Sequence, residues 1–159
     1  MKYKVSKKIR VIGFGNVLLH DDGVGIFVIE ELQKFKFPNI EFINGGINGI
    51  DIISFIEGAK KVIIIDAVIG NGKIGNVYKV DLNKIYLFEN SPMPLSLHEF
   101  KWNYMIPLAK IVLNENFPEK VIFYGIEINN NIQYKVGLSQ ELKKHFPKII
   151  KLILKELTG

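Results

Sequence analysis

The stretch over residues 10–32, RVIGFGNVLLHDDGVGIFVIEEL, constrains the fold of this chain more than any other. Val11, Ile12 and Phe14 form a short apolar run with strand propensity, ended by Gly13 and Gly15. After Asp21 and Asp22, apolar residues recur at three- and four-residue spacing through Val24, Phe27, Val28, Leu32 and Phe35, which is one face of a helix. Two carboxylates therefore stand where the carboxyl end of a strand hands over to a helix. In open α/β sheets ligands bind at that edge. Burying acids there costs stability unless something pairs with them, and a metal ion or a bound substrate is the natural candidate.

The same alternation continues along the chain. The pattern predicts strands over residues 9–15, 40–44, 61–67, 77–82 and 121–128. Helices are expected from 22 to about 35, from 51 to near 58, from 98 to 113, and from a Ser139 N-cap to 157. The run KVIIIDA is almost continuously β-branched, as in a central strand covered on both faces, and Asp66 sits at its carboxyl end. No crossover helix separates that strand from VYKVDL, so the two pair antiparallel or sit apart. Alternation within VYKVDL suits an edge strand. Pro107 is expected to kink its helix or set its start later, and Pro147 to kink or interrupt its own. Strands alternating with helices define a three-layer α/β sandwich with a mainly parallel sheet. With 159 residues the expectation is one domain, residues 1–159.

Composition removes several chemistries. There is no cysteine, so disulfides, a thiol nucleophile and thiolate metal sites are excluded. No apolar run approaches the ~18 residues of a spanning helix, and no signal peptide is recognisable, so a cytoplasmic protein without membrane contact is expected. The net charge of +5 comes from scattered lysines and a single arginine, Arg10. That is a poor inventory for phosphate recognition, and no nucleic-acid partner is expected. Gly13-Phe14-Gly15 resembles the start of a dinucleotide fingerprint, but Leu18 stands where the third glycine belongs and Asn44 near where the acid belongs.

Three residues on separate elements invite a joint reading. Asp22 and Asp21 each suit a helix N-cap, though both cannot cap one helix. Asp66 would face the same sheet edge as Asp22. His98, in LSLHEF, begins a helix; of the other histidines, His20 adjoins the acids and His145 lies on the lysine-rich last helix. Two carboxylates and one imidazole would make a site for Zn²⁺, Ni²⁺ or a similar borderline ion. Spacing alone does not establish that site.

The ordered set GFGNVLLHDDGVG, NGGINGIDII, VIIIDAV, SLH, VIFYGIEI and GLSQEL resembles the hydrogenase maturation endopeptidases over nearly the whole chain. The resemblance implies a twisted five-stranded α/β sandwich with helices on both faces. It implies an endopeptidase that trims the C-terminus of an immature nickel–iron hydrogenase large subunit, with nickel in that substrate read as the signal that assembly is finished. It assigns metal contact and catalysis to Asp22, Asp66 and His98, and a substrate-facing loop to Gly45 and Gly46. Some family members carry glutamate where Asp22 stands, one methylene longer. Zinc or cadmium could occupy the same ligands in vitro. Cleavage would proceed through a metal-bound or metal-oriented water. The competing readings are a docking or chaperone module that binds the immature subunit without cutting, and a nucleotide-binding enzyme using Gly13 and Gly15.

Overall fold

The computed structural model describes residues 8–84 and 102–159. Its strands are β1 (Ile9–Phe14), β2 (Ile40–Gly46), β3 (Lys61–Val68), β4 (Val77–Asp81) and β5 (Lys120–Glu127). They form one sheet in the order β2-β1-β3-β5-β4. The first three and β5 are parallel, and β4 runs antiparallel along β5. The β-branched run is thus the central strand, and VYKVD is an edge strand separated from it by β5.

Alternation of side chains across the pleat builds two cores. Ile12, Phe14, Val62, Ile64, Val121 and Phe123 point to one face. There they meet α2 (Ile52–Ile56) and α3 (Trp102–Leu113) through Ile52, Ile56, Trp102 and Ile106. Val11, Ile63, Ile65, Ile122, Tyr124 and Ile126 point to the other. They meet α1 (Val24–Leu32) and α4 (Gln140–Thr158) through Val24, Val28, Leu32, Ile149 and Ile153. The three-layer α/β sandwich is therefore as expected. Each fully buried Ile or Val contributes about 1.5–3 kcal/mol through apolar burial.

Helix α1 lies unusually close to the sheet. A Cβ on Gly25 would collide with the carbonyl oxygens of Phe14 and Ile65, and one on Gly13 with Gly25 and Ile29. These glycines let the helix start pack onto β1 and β3. The close packing accounts for the Gly13 of the GFG turn without any bound nucleotide.

Pro107 and Pro147 both lie inside their helices. Helix α4 runs through Pro147 from Gln140 to Thr158 without interruption. Pro147 and Lys143 are exposed, so the Lys143 carbonyl that loses its helical donor can be hydrated. No helix among the described residues is long and apolar enough to cross a membrane.

Candidate active site

Both acids of the HDD triplet lie in a 3₁₀ turn, His20–Gly23, that joins β1 to α1. Neither caps the helix: the N-cap of α1 is Gly23, with no side-chain cap hydrogen bond. The two carboxylates have different work. Asp21 is 6% exposed, and both its oxygens are engaged by one residue. The Ser139 backbone N–H donates to Asp21 Oδ1 at 2.6 Å and the Ser139 hydroxyl to Oδ2 at 2.7 Å. Ser139 Oγ in turn accepts from the Leu142 N–H at 3.1 Å, so Ser139 is the N-cap of α4 as expected. Asp21 is thus a structural acid that moors the start of the last helix, a buried charge stabilised by two donors.

Asp22 is half-buried, and its Oδ2 accepts from the Asn16 backbone N–H at 3.0 Å. Its Oδ1 takes no hydrogen bond among the described residues. Asn16 is itself set by an Asx turn, its Oδ1 accepting from the Leu18 N–H at 3.0 Å. Asn16 was not singled out from sequence; an Asn two residues before an apolar pair, just after a glycine, was the available signal.

Asp66 is half-buried at the carboxyl end of β3, and its Oδ1 accepts from the Ala67 N–H at 2.9 Å. The 3₁₀ turn that carries Asp22 contacts β3, and Gly25, in the first turn of α1, packs on the Ile65 carbonyl one residue before Asp66. Asp22 and Asp66 therefore share the carboxyl edge of the parallel sheet, where ligands of such folds collect. His98 lies outside the described residues. Among the described residues no group of three His, Asp or Glu side chains is placed to hold a metal ion.

Gly45 and Gly46 end β2 beside the same loop. A Cβ on Gly45 would collide with the Phe14 ring. Gly46 has φ +75° and its carbonyl accepts from the Gly15 N–H at 3.0 Å. His20 also has a positive φ, 56°, and its Nδ1 lies 2.5 Å from the Gly137 carbonyl, to which it donates. Its own N–H donates to the Lys135 carbonyl at 2.7 Å. His20 thus stitches the 132–137 loop to the turn.

A third acid borders this edge, and sequence reasoning passed over it. Glu127, 1% exposed at the end of β5, accepts from the Gly72 N–H at 2.7 Å and the Tyr78 hydroxyl at 2.8 Å. Accepting this bond raises the Tyr78 pKa above its ordinary value, with burial adding to it. Glu127 thereby shapes the 70–76 loop that follows β3. The lone arginine is structural too: Arg10 pairs with Glu41 at 3.0 Å and donates to the Phe55 and Glu57 carbonyls at 3.0 and 2.9 Å.

An α/β enzyme with acids at the carboxyl edge of its sheet is the class these features describe. The same fold is found in the hydrogenase maturating endopeptidase HybD of Escherichia coli, with a TM-score of 0.71 at 21% identity, covering 95% of this chain and 92% of that one. The chain belongs to the hydrogenase maturation protease family, whose model matches residues 26–156. It is 30% identical over 160 residues to a Methanocaldococcus jannaschii chain with a provisional hydrogenase maturation protease name, covering 96% of this chain and 97% of the other. It is also 30% identical over 162 residues to the coenzyme F420 hydrogenase subunit delta of Methanothermobacter thermautotrophicus, covering 94% of each.

Proposed function

We propose that this protein is an endopeptidase that removes the C-terminal peptide of an immature nickel–iron hydrogenase large subunit after nickel insertion. It would work in the cytoplasm, as one domain over residues 1–159. The observation that carries the reading is the unequal use of adjacent acids. Asp21 is fully engaged by Ser139, whereas Asp22 keeps one oxygen open at the edge where Asp66 also ends.

The nickel in this reading belongs to the substrate. Two carboxylates suit a borderline ion when an imidazole joins them, and His98 supplies it. Asp22, Asp66 and His98 grip the substrate's nickel, and this sets the adjoining peptide bond at the sheet edge beside Gly45 and Gly46. The nickel, once held, polarises the scissile carbonyl. A carboxylate of the pair takes the proton of the attacking water. With no cysteine in the chain, no thiol nucleophile competes with this route. Zinc or cadmium would compete for the same three ligands.

The test is mass spectrometry of a nickel-loaded large-subunit precursor incubated with the protein, beside a nickel-free precursor. A coenzyme F420 hydrogenase precursor is the first to try, given the relative of that name. Loss of one defined C-terminal peptide from the nickel-loaded form alone is the expected result. Binding without loss of mass would replace the protease by a docking module. Equal cleavage of both forms would keep the protease and remove nickel as the signal. Normal tail removal by a folded His98→Ala protein would refute the ligand set.

A further inference from the structure

A sheet of this order has two edges, β2 and β4, and they are unequally protected. The β4 edge carries the exposed Lys79 at its middle, its Nζ held 2.8 Å from Glu156. A charged lysine on an edge discourages another strand from pairing there. The sequence of β2, IEFINGG, has no lysine or proline, and its one charge, Glu41, is drawn onto Arg10 at 3.0 Å.

The register shows which backbone groups of β2 face outward. Ile9 N–H donates to the Asn39 carbonyl, and Ile9 pairs with Ile40 in parallel register. In a parallel ladder each residue bonds to the two flanking its partner, so Glu41 and Ile43 turn their N–H and C=O groups to β1. Phe42 and Asn44 turn theirs away from the sheet. The Ile40 N–H is engaged by the Phe37 carbonyl at 3.4 Å, and the Gly46 N–H by Asn44 Oδ1 at 2.9 Å. Among the described residues nothing hydrogen-bonds the Phe42 and Asn44 N–H groups. Glu41 and Asn44 are exposed. The open ladder matches an extended peptide of about five residues.

This edge leads to the acids. β2 ends at Gly46, whose carbonyl holds the Gly15 N–H; the next residue, Asn16, donates to Asp22. Ile47 and Ile50, 58% and 70% exposed, follow directly and offer apolar contacts at that end.

We infer that the outer edge of β2 takes an extended segment of the polypeptide substrate as a sixth strand, running it to the Gly46–Asn16 corner beside Asp22. A row of backbone donors and acceptors is satisfied by another backbone, and the substrate of a protease supplies one. Strand addition of this kind takes its affinity from main-chain hydrogen bonds and so tolerates varied side chains. The inference rests on the protease reading above.

The experiment is residue-resolved amide hydrogen exchange on the full chain, with and without a saturating nickel-loaded large-subunit precursor. The native enzyme is labelled in pulses short against processing, so that the complex persists. Phe42 and Asn44 exchange fast alone and slow by about tenfold or more with the precursor, while Glu41 and Ile43 are slow throughout. A second arm compares Phe42→Pro, which removes an outward N–H, with Phe42→Ala, which keeps it. Edge positions whose N–H faces outward tolerate proline. Both variants of the otherwise native enzyme are checked for folding by thermal denaturation. Phe42→Pro is expected to raise KM about fivefold over Phe42→Ala, with kcat unchanged. Precursor that binds or is cut while Phe42 and Asn44 stay unprotected overturns the inference and leaves the protease standing. Protection that appears without precursor and grows with protein concentration assigns the edge to a second copy and also overturns it. Precursor that neither binds nor is cut overturns the functional reading, and the inference with it.

Discussion

Replacing each acid of the HDD triplet in turn should separate scaffold from chemistry. In Asp21→Asn the amide oxygen can still accept the Ser139 N–H now held at 2.6 Å. The amide nitrogen then faces the Ser139 hydroxyl, now at 2.7 Å, and that hydroxyl must turn its hydrogen away. One charge-assisted bond is inverted and the other weakened. At ~1.5–3 kcal/mol for hydrogen bonds to a charged group, the net loss is about 2 kcal/mol. A chain of this size loses roughly 2–4 °C of Tm per kcal/mol, so Tm should fall by about 4–8 °C. In Asp22→Asn the amide oxygen keeps the Asn16 N–H at 3.0 Å, and no second bond is inverted. Its Tm should fall by no more than about 2–4 °C, since one charge-assisted bond becomes a neutral one at a cost of about 1 kcal/mol. The assay is thermal denaturation followed by circular dichroism, with precursor processing measured on the same preparations. Asp22→Asn should stop processing, and Asp21→Asn should retain it below its own Tm. The reasoning fails if Asp21→Asn is as stable as native while abolishing processing, or if Asp22→Asn processes normally.

Three further outcomes follow from the packing. Burial pushes the Glu156 carboxyl up, but hydrogen bonds from Lys61, Lys79 and Tyr124 outweigh it and bring it from 4.5 down to about 2. Its stabilisation is therefore full above about pH 4.5 and lost as pH falls through about 2. That shift is about 3 kcal/mol before screening, and with Lys79 exposed to solvent about 1–2 kcal/mol remains. Glu156→Gln should lower Tm at pH 7, and the gap from native should close between about pH 4.5 and 2 in a pH series of thermal melts. Gly25→Ala drives a methyl against two backbone carbonyls that cannot swing aside. It should cost about 3 kcal/mol by chemical denaturation and slow processing as α1 lifts from Asp66. Tyr78→Phe removes one donor to the buried Glu127 and should cost about 1–2 kcal/mol, with proteolytic nicking of the 70–76 loop rising in parallel.

The sheet was legible because β-branched runs mark buried parallel strands, and KVIIIDA proved central for that reason. Its relation to VYKVD stayed open until the register put β5 between them, since pairing across a sheet leaves no local mark. Helix α1 begins at Val24 rather than Asp22 because the acids form a 3₁₀ turn of their own. Apolar periodicity cannot show that, for it counts only the core face. The Ser139 cap was readable from Ser-Gln-Glu, but its hold on Asp21 spans 118 residues and has no local signature. Glu127 was invisible for a related reason: an acid inside VIFYGIEI reads as the polar side of a strand until its donors, Gly72 in the loop after β3 and Tyr78 on β4, are placed. Asp22 and Asp66 were found where strand ends predicted, at one sheet edge, while His98 falls outside the described residues.

Helix α4 is tied down at both ends by carboxylates. At its start Ser139 is held by Asp21 beside the candidate site; near its end Glu156 is clamped by Lys61, the first residue of β3, and by Lys79. Its 19 residues span about 28 Å, so the helix acts as a tie-rod along the length of the sheet. Slackening one anchor should be felt at the other. Trimming the chain before Glu156 would loosen Asp21, and with it the turn that presents Asp22, at the opposite end of the molecule.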